Sequence, residues 1–172
     1  MIDFQNLKFF SPSKSILNFQ EVVKEVFSYL NKAPDHFYEI VVGCDSSSRD
    51  VSVFPVTLVV LRRGRGGRFF LTKINYFTSF KKKIFSLQER ILTEVYLSCE
   101  LALKFREIFK EEIKKNQASF NYQFQYIHAD IGENGRTKDM IKEVVGFIKS
   151  NGFEAKIKPE AFAASVVADR FT

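Results

Sequence analysis

The sequence predicts an α/β protein whose five-stranded mixed sheet is flanked by helices and preceded by an extra N-terminal helix. Segments with strand-like patterns and segments with helical spacing follow in the order β-β-β-α-β-α-β-α after that first helix. A glycine-rich stretch joins the second and third strands, which predicts an antiparallel hairpin. A helix separates the last two strands, which predicts a parallel crossover.

Capping residues and apolar spacing indicate where each element begins and ends. The first helix begins at Asn18, which forms a capping-box pattern with Glu21, and it ends before Pro34. Pro159 opens the last helix at its first position, where a missing N–H is tolerated. The strands are predicted at residues 38–44, 51–61, 68–76, 122–129 and 153–157. The other two helices are predicted at residues 86–115 and from 137 to just before 152.

Length and composition indicate one globular domain. The chain has 172 residues, of which 45% are hydrophobic, and we expect residues 1–172 to form a single domain with 1–35 as an N-terminal helical extension. A net charge of +6 permits a polyanionic partner without requiring one. The two cysteines, Cys44 and Cys99, are expected to be buried thiols. The sequence shows neither a signal peptide nor a membrane-spanning run, which predicts a cytoplasmic protein with no membrane partner.

Two acidic residues directly follow apolar strands. Asp45 directly follows the apolar segment 40–44, and Asp130 directly follows the apolar segment 126–129. Carboxylates are poor strand formers and are rarely buried unpaired, so this placement predicts a shared polar site at one edge of the sheet. Two close carboxylates repel one another unless a cation or a proton lies between them. A divalent metal site is therefore the favoured explanation.

Two further acids interrupt apolar helix faces. At about 100° per residue, Glu94 falls on the same stripe as Leu87 and Ile91, whereas Glu89 falls on the opposite side. Asp169 follows Phe162 and Val166 at spacings typical of one helix face. An acid on a core-facing stripe needs a partner, and four such acids together favour a metal site.

Each acid taken alone has a simpler explanation. Asp45 can cap a turn formed with Ser46, Asp130 can begin a loop, and Glu94 can pair with Arg90. Asp169 can lie on a frayed terminal helix. The convergence of all four in this order of elements favours the metal site over these separate explanations.

The motifs around these acids are similar to those of a known family. The segments VGCDS, ERILTE, HADIG and KPEAFAAS lie at residues 42–46, 89–94, 128–132 and 158–165. They resemble the YkuK-like family, a set of largely uncharacterised bacterial proteins of the ribonuclease H-like superfamily classed as predicted nucleases. The resemblance extends from about residue 36 through most of the chain and implies a ribonuclease H-like fold.

The resemblance also implies a function and a set of site residues. It implies a nuclease that hydrolyses phosphodiester bonds with two Mg²⁺ or Mn²⁺ ions. Asp45 would bridge the ions, Glu94 and Asp130 would share one, and Asp169 would hold the other. Glu89 and His128 would at most contact the metal-binding acids, without contacting the ions themselves. Because clustered carboxylates repel one another, we expect the metal-free Asp130→Asn variant to melt at or above the wild-type temperature.

Two other functions are compatible with the same fold. One is a non-catalytic nucleic-acid-binding module, against which the four intact acids argue. The other is an ATPase-like nucleotide-phosphate-binding protein. Such proteins need a glycine-rich loop after the first strand, whereas Asp45 is followed by Ser46, Ser47, Ser48 and Arg49.

Basic segments could bind the phosphate backbone of a nucleic acid, either DNA or RNA. One consists of Arg62, Arg63 and Arg65 in the hairpin turn, and the other is the run Lys81, Lys82 and Lys83 before the helix that carries Glu94. The simpler explanation for each is a solvated surface segment. The lysine run is the better candidate because of its position next to that helix.

Overall fold

A computed structural model describes residues 2–46, 53–76, 80, 84 and 86–163 of the chain. Within these residues the strands are β1 (Lys8–Ser11), β2 (Ser15–Asn18), β3 (Tyr38–Cys44), β4 (Val53–Arg62), β5 (Gly67–Asn75), β6 (Tyr122–Ala129) and β7 (Glu154–Lys156). The α-helices are α1 (Phe19–Asn31), α2 (Leu87–Lys115) and α3 (Ile141–Ser150). Single turns of 3₁₀-helix lie at Phe4–Asn6 and Lys138–Met140.

One mixed sheet organises the described part of the chain, with the strand order β2-β1-β5-β4-β3-β6-β7. The pairs β3–β6 and β6–β7 are parallel and the others are antiparallel. The α/β class is confirmed, but the described sheet has seven strands where the sequence predicts five. The two additional strands, β1 and β2, have only four residues each, and their sequences KFFS and SILN do not alternate apolar with polar residues.

Strand β3 lies inside the sheet and is buried on both faces. Ile40, Val42 and Cys44 belong to the main core, together with the buried faces of α1 and α2. Val41 points to the other face, where it belongs to a smaller cluster with Val59 and Ala163. This alternation places the end of β3 between two packed layers.

Local capping explains how the two helices on the main core begin. Asn18 and Glu21 form the predicted capping box at the start of α1. Ser86 caps α2 by accepting a hydrogen bond from the backbone N–H of Glu89 at 3.0 Å. The first turn of α2 is thereby fixed, and with it the direction in which the later residues of this helix point.

The segment after β7 differs from its prediction. Residues 158–160 form a turn rather than the first turn of a helix, and helical geometry begins only at Phe162. The turn is fixed by hydrogen bonds from Lys158 N–H to the Ile131 carbonyl and from Glu160 N–H to the Ile157 carbonyl, each 2.8 Å long. Pro159 therefore lies in a connection that contacts the loop after β6, and this tertiary contact overrides the local preference of proline for a helix start.

Candidate functional site

The acids that follow the two strands meet at the same edge of the sheet. Strands β3 and β6 are parallel, and Cys44 is the register partner of Ala129. Asp45 and Asp130 are the next residues on their respective chains, so they leave adjacent strands at the same level. Neighbouring strands lie about 4.8 Å apart, which places the two backbones side by side.

Helix α2 contributes a third carboxylate to this edge, as the helical phase predicts. Glu94 is buried, with 4% of its surface exposed. Its Oε1 accepts two hydrogen bonds from Ser46, one from the backbone N–H at 3.0 Å and one from the hydroxyl at 2.6 Å. Ser46 directly follows Asp45, so these bonds fix Glu94 against the end of β3. Asp45, Glu94 and Asp130 are called the acidic edge below.

Burial makes Glu94 hard to ionise. The pKa of its carboxyl is raised from 4.5 to about 7: desolvation by burial is the largest cause, the hydrogen bonds from Ser46 oppose it, and the charge of Asp45 adds to the rise. Arg90 lowers this pKa only weakly, since its Nε lies 4.0 Å from Oε1. Arg90 also donates a hydrogen bond of 3.2 Å to the Ser46 carbonyl. The Arg90 pairing considered from the sequence therefore exists, but it is too weak to offset burial.

Asp130 has a cation of its own that the sequence reasoning missed. The Nζ of Lys158 lies 2.9 Å from Asp130 Oδ2. Asp130 Oδ1 is buried and has no hydrogen-bond partner among the described residues. The Lys158 charge offsets the repulsion on which the melting expectation for Asp130→Asn rested, so that expectation no longer follows. Lys158 lies within the fourth motif, but its pairing with Asp130 has no signal in local sequence.

His128 contacts the chain after β7 rather than Asp130. Its Nδ1 accepts a hydrogen bond of 3.1 Å from the backbone N–H of Ala163, and its ring packs edge-on against Phe162 at 4.6 Å. Burial, reinforced by the charge of Lys156, lowers the pKa of His128 to about 4. A neutral imidazole that accepts at Nδ1 carries its proton on Nε2, which is buried and has no hydrogen-bond partner in the described part of the chain.

The other two predicted acids, Glu89 and Asp169, are not found at the acidic edge among the described residues. Glu89 lies in the first turn of α2 and lines a different groove, together with Tyr96 and Phe147. Asp169 lies outside the described residues. Within residues 2–46, 53–76, 80, 84 and 86–163, no three His, Cys, Asp or Glu residues form a group that could hold a metal ion. The donor chemistry of the acidic edge nevertheless suits a hard cation, because it consists of carboxylate oxygens and includes the unpartnered Oδ1 of Asp130.

Comparison with known proteins is consistent with this arrangement. A family model described as ribonuclease H-like matches residues 21–172. The chain is 33% identical over 170 residues to "Uncharacterized protein YkuK" of Bacillus subtilis (strain 168), which covers 95% of this chain and 96% of that protein. The chain belongs to the ribonuclease H-like family. No solved structure is significantly similar to it.

The hairpin arginines of this ribonuclease H-like protein lie at the other end of the sheet. Arg62 pairs with Tyr38, the first residue of β3, whereas Asp45 follows the last. Seven strand residues separate the two ends, which is about 20 Å. The guanidinium of Arg62 lies 5.5 Å from the Tyr29 ring centre, and that of Arg63 lies 5.1 Å from Phe37. Arg62 is half-buried whereas Arg63 is exposed, and the role of these arginines in binding nucleic acid stays a prediction.

Two other predictions can be placed. Lys81, Lys82 and Lys83 lie outside the described residues. Cys44 and Cys99 are buried free thiols, as expected. In the described part of this ribonuclease H-like chain, no helix is both long enough and apolar enough to cross a bilayer.

Proposed function

We propose that the protein is a metal-dependent nuclease that hydrolyses phosphodiester bonds with two Mg²⁺ or Mn²⁺ ions. The observation that carries this proposal is the in-register position of Asp45 and Asp130 at the ends of adjacent parallel strands, with buried Glu94 fixed beside them. Membership in the ribonuclease H-like family supports the same conclusion. One buried and two half-buried carboxylates that meet at a strand-end edge are typical of sites that hold cations.

The proposed ligands are the four acids predicted from the sequence. Asp45 would contact both ions, Glu94 and Asp130 would share one, and Asp169 would contact the other. When bound, a pair of divalent ions lowers the pKa of a bound water and stabilises the leaving oxygen of the phosphodiester. The protein supplies the arrangement of the carboxylates, and burial keeps Glu94 out of contact with bulk water.

The contacts of Glu94 show what the chain itself contributes. Both Ser46 donors bond to Oε1, which fixes the orientation of the carboxylate before any cation arrives. A pKa of about 7 means that a substantial fraction of Glu94 is protonated near neutral pH in the metal-free protein. Cation binding requires the ionised form, so it should release protons from this residue.

A nucleic-acid-binding module without metal chemistry is the second candidate function. The ion pair between Lys158 and Asp130 favours it, because a protein cation already neutralises one of the proposed ligands. In this case the acidic edge would be a structural network, and divalent ions would affect neither stability nor cleavage.

Asp45→Asn separates the two candidates. Asparagine keeps the shape of aspartate but removes the charge that binds a cation, so we expect at least a roughly 100-fold loss of cleavage. The assay uses single-stranded, duplex and hybrid oligonucleotides with Mg²⁺ or Mn²⁺. Asp35→Asn is the matched control, since Asp35 is an exposed aspartate in the turn between α1 and β3.

The outcomes of this assay are distinct. Cleavage by wild type and Asp35→Asn but not by Asp45→Asn supports the metal mechanism. Equal cleavage by wild type and Asp45→Asn rejects it. Oligonucleotide binding without cleavage by any of the three proteins favours the second candidate.

A further inference from the structure

Lys158, in the connection after β7, places its ammonium group at the acidic edge. Lys158 Nζ lies 2.9 Å from Asp130 Oδ2, and the two side chains are 52% and 18% exposed. At this distance the contact is a charge-assisted hydrogen bond to a partly buried carboxylate. The ammonium thus lies at an oxygen that the proposed function assigns to a divalent ion.

The position of Lys158 is fixed by its backbone as well as by its charge. Its N–H donates to the Ile131 carbonyl at 2.8 Å, which joins this connection to the loop that begins at Asp130. The side-chain stem passes close to Gly132, where an added Cβ would lie 3.2 Å from the Cβ of Lys158. The loop around Asp130 is therefore shaped to admit Lys158, unlike the surface pair of Lys149 and Glu154, whose charged atoms are 3.9 Å apart.

We propose that Lys158 is the built-in counter-ion of the acidic edge and, once released, a phosphate-binding residue for the nucleic-acid substrate. In the metal-free protein it neutralises Asp130. A divalent cation bound at Asp130 repels the ammonium, and the half-exposed side chain then turns to a phosphate oxygen of the substrate. Lysine binds phosphate as a flexible point charge, which suits this exchange of partners. The inference rests on the proposed metal-dependent function and adds a substrate contact to it.

Metal affinity tests the first half of this proposal without any cleavage assay. Lys158→Met removes the charge but keeps an unbranched stem against Gly132, and Lys158→Arg keeps the charge. Calorimetric titration of each metal-free protein with Mn²⁺ should show about fivefold tighter binding for Lys158→Met, the size of effect typical of one partly exposed ion pair. Lys158→Arg should stay within about twofold of wild type.

Nucleic-acid binding tests the second half. Oligonucleotide affinity measured with Ca²⁺ present should fall about threefold in Lys158→Met and remain near wild type in Lys158→Arg. The two effects of Lys158→Met thus have opposite signs, whereas a merely structural lysine would weaken both kinds of binding. Lys149→Met is the matched control, because Lys149 is a 58% exposed lysine that likewise pairs with an acid, here Glu154. Lys158→Gln repeats the test if the methionine variant does not fold.

Each result decides the proposal. Tighter Mn²⁺ binding together with weaker oligonucleotide binding in Lys158→Met supports it. Equal or weaker Mn²⁺ binding in Lys158→Met, while wild type binds Mn²⁺, overturns the inference and leaves the proposed function standing. Absence of Mn²⁺ binding in both wild type and Lys158→Met overturns the inference and the metal-dependent function together.

Discussion

The two ends of the central sheet hold charge in different ways. At the hairpin end, formed by the turn between β4 and β5, the guanidinium of Arg68 lies over the Tyr29 ring at 4.9 Å and pairs with Glu25 at 3.1 Å. At the acidic edge, Glu94 is buried against Ser46, and its pKa is raised to about 7. Asp130 buries one oxygen that has no partner among the described residues.

The hairpin end stabilises its buried charges, whereas the acidic edge holds a buried carboxyl that is hard to ionise. Arg62 and Arg68 also bury an Nε without a hydrogen-bond partner in the described residues, but their delocalised charge lies over an aromatic ring. At the acidic edge, Glu94 is held by hydrogen bonds from Ser46 and Asp130 is held by the Lys158 ammonium, yet burial still raises the pKa of Glu94 to about 7. An acid whose pKa is strongly raised by burial and by a neighbouring charge is typical of a functional site.

The largest expected effect is on the pH dependence of stability and concerns Glu94. The pKa of Glu94 rises from 4.5 to about 7 on folding, so the folded state binds more protons than the unfolded state between these values. Stability contributed by the protonated form is fully present below pH 4.5 and is lost as pH rises through about 7. The loss of stability over this pH range amounts to roughly 3 kcal/mol, and the Glu94→Gln variant should not show it.

Denaturant unfolding of metal-free protein at several pH values measures this effect. The free energy of unfolding of Glu94→Gln, relative to wild type, should increase steadily from pH 4.5 to pH 8. A constant difference across this range would mean that Glu94 ionises normally, and the acidic edge would then resemble the hairpin end.

His128 should show the opposite slope. Its pKa falls from 6.5 to about 4 on folding, so the stability gained from the neutral form is present above pH 6.5 and is lost as pH falls toward about 4. Relative to His128→Asn, wild type should lose about 2 to 3 kcal/mol over this window. Because the Glu94 and His128 slopes oppose one another, wild type should vary less with pH than either variant. The same denaturant series measures this, and parallel curves for wild type and His128→Asn would contradict it.

Local sequence was sufficient for the part of the site that depends on local geometry. Asp45 and Asp130 could be placed because each directly follows an apolar strand, and Glu94 could be placed because a helix repeats every 3.6 residues. The capping box of Asn18 and Glu21 could also be predicted from the sequence, since its two members are three residues apart. All these signals act over a few residues.

Contacts between segments that are distant in the sequence could not be predicted from these local patterns. Lys158 reaches Asp130 only because β7 lies beside β6 in the sheet, and no periodic pattern connects the two residues. Strand β1 alternates between exposed and buried residues, but its sequence KFFS does not alternate in polarity, and neither does the sequence SILN of β2. The distance of the hairpin arginines from the acids follows from the antiparallel pairing of β4 with β3, which carries the chain away from Asp45.

The smallest effects are expected at the hairpin end. Arg63→Ala removes the contact with Phe37 and should lower the free energy of unfolding by about 0.5 to 1 kcal/mol. Arg65 is exposed in the turn, so Arg65→Gln should change stability by less than about 0.5 kcal/mol. Neither substitution should change cleavage, since both positions lie far from the acidic edge. A tenfold loss of oligonucleotide affinity in either variant would instead make the hairpin end part of the binding surface.

The central claim is that the acidic edge binds divalent cations, and a Mn²⁺-soaked crystal tests it most directly. Anomalous difference density should appear within about 2.5 Å of carboxylate oxygens of Asp45, Glu94 and Asp130, with the Lys158 ammonium turned away from Asp130. Absence of such density at saturating Mn²⁺, with Lys158 still bound to Asp130, would contradict the account and leave the acidic edge as a structural network.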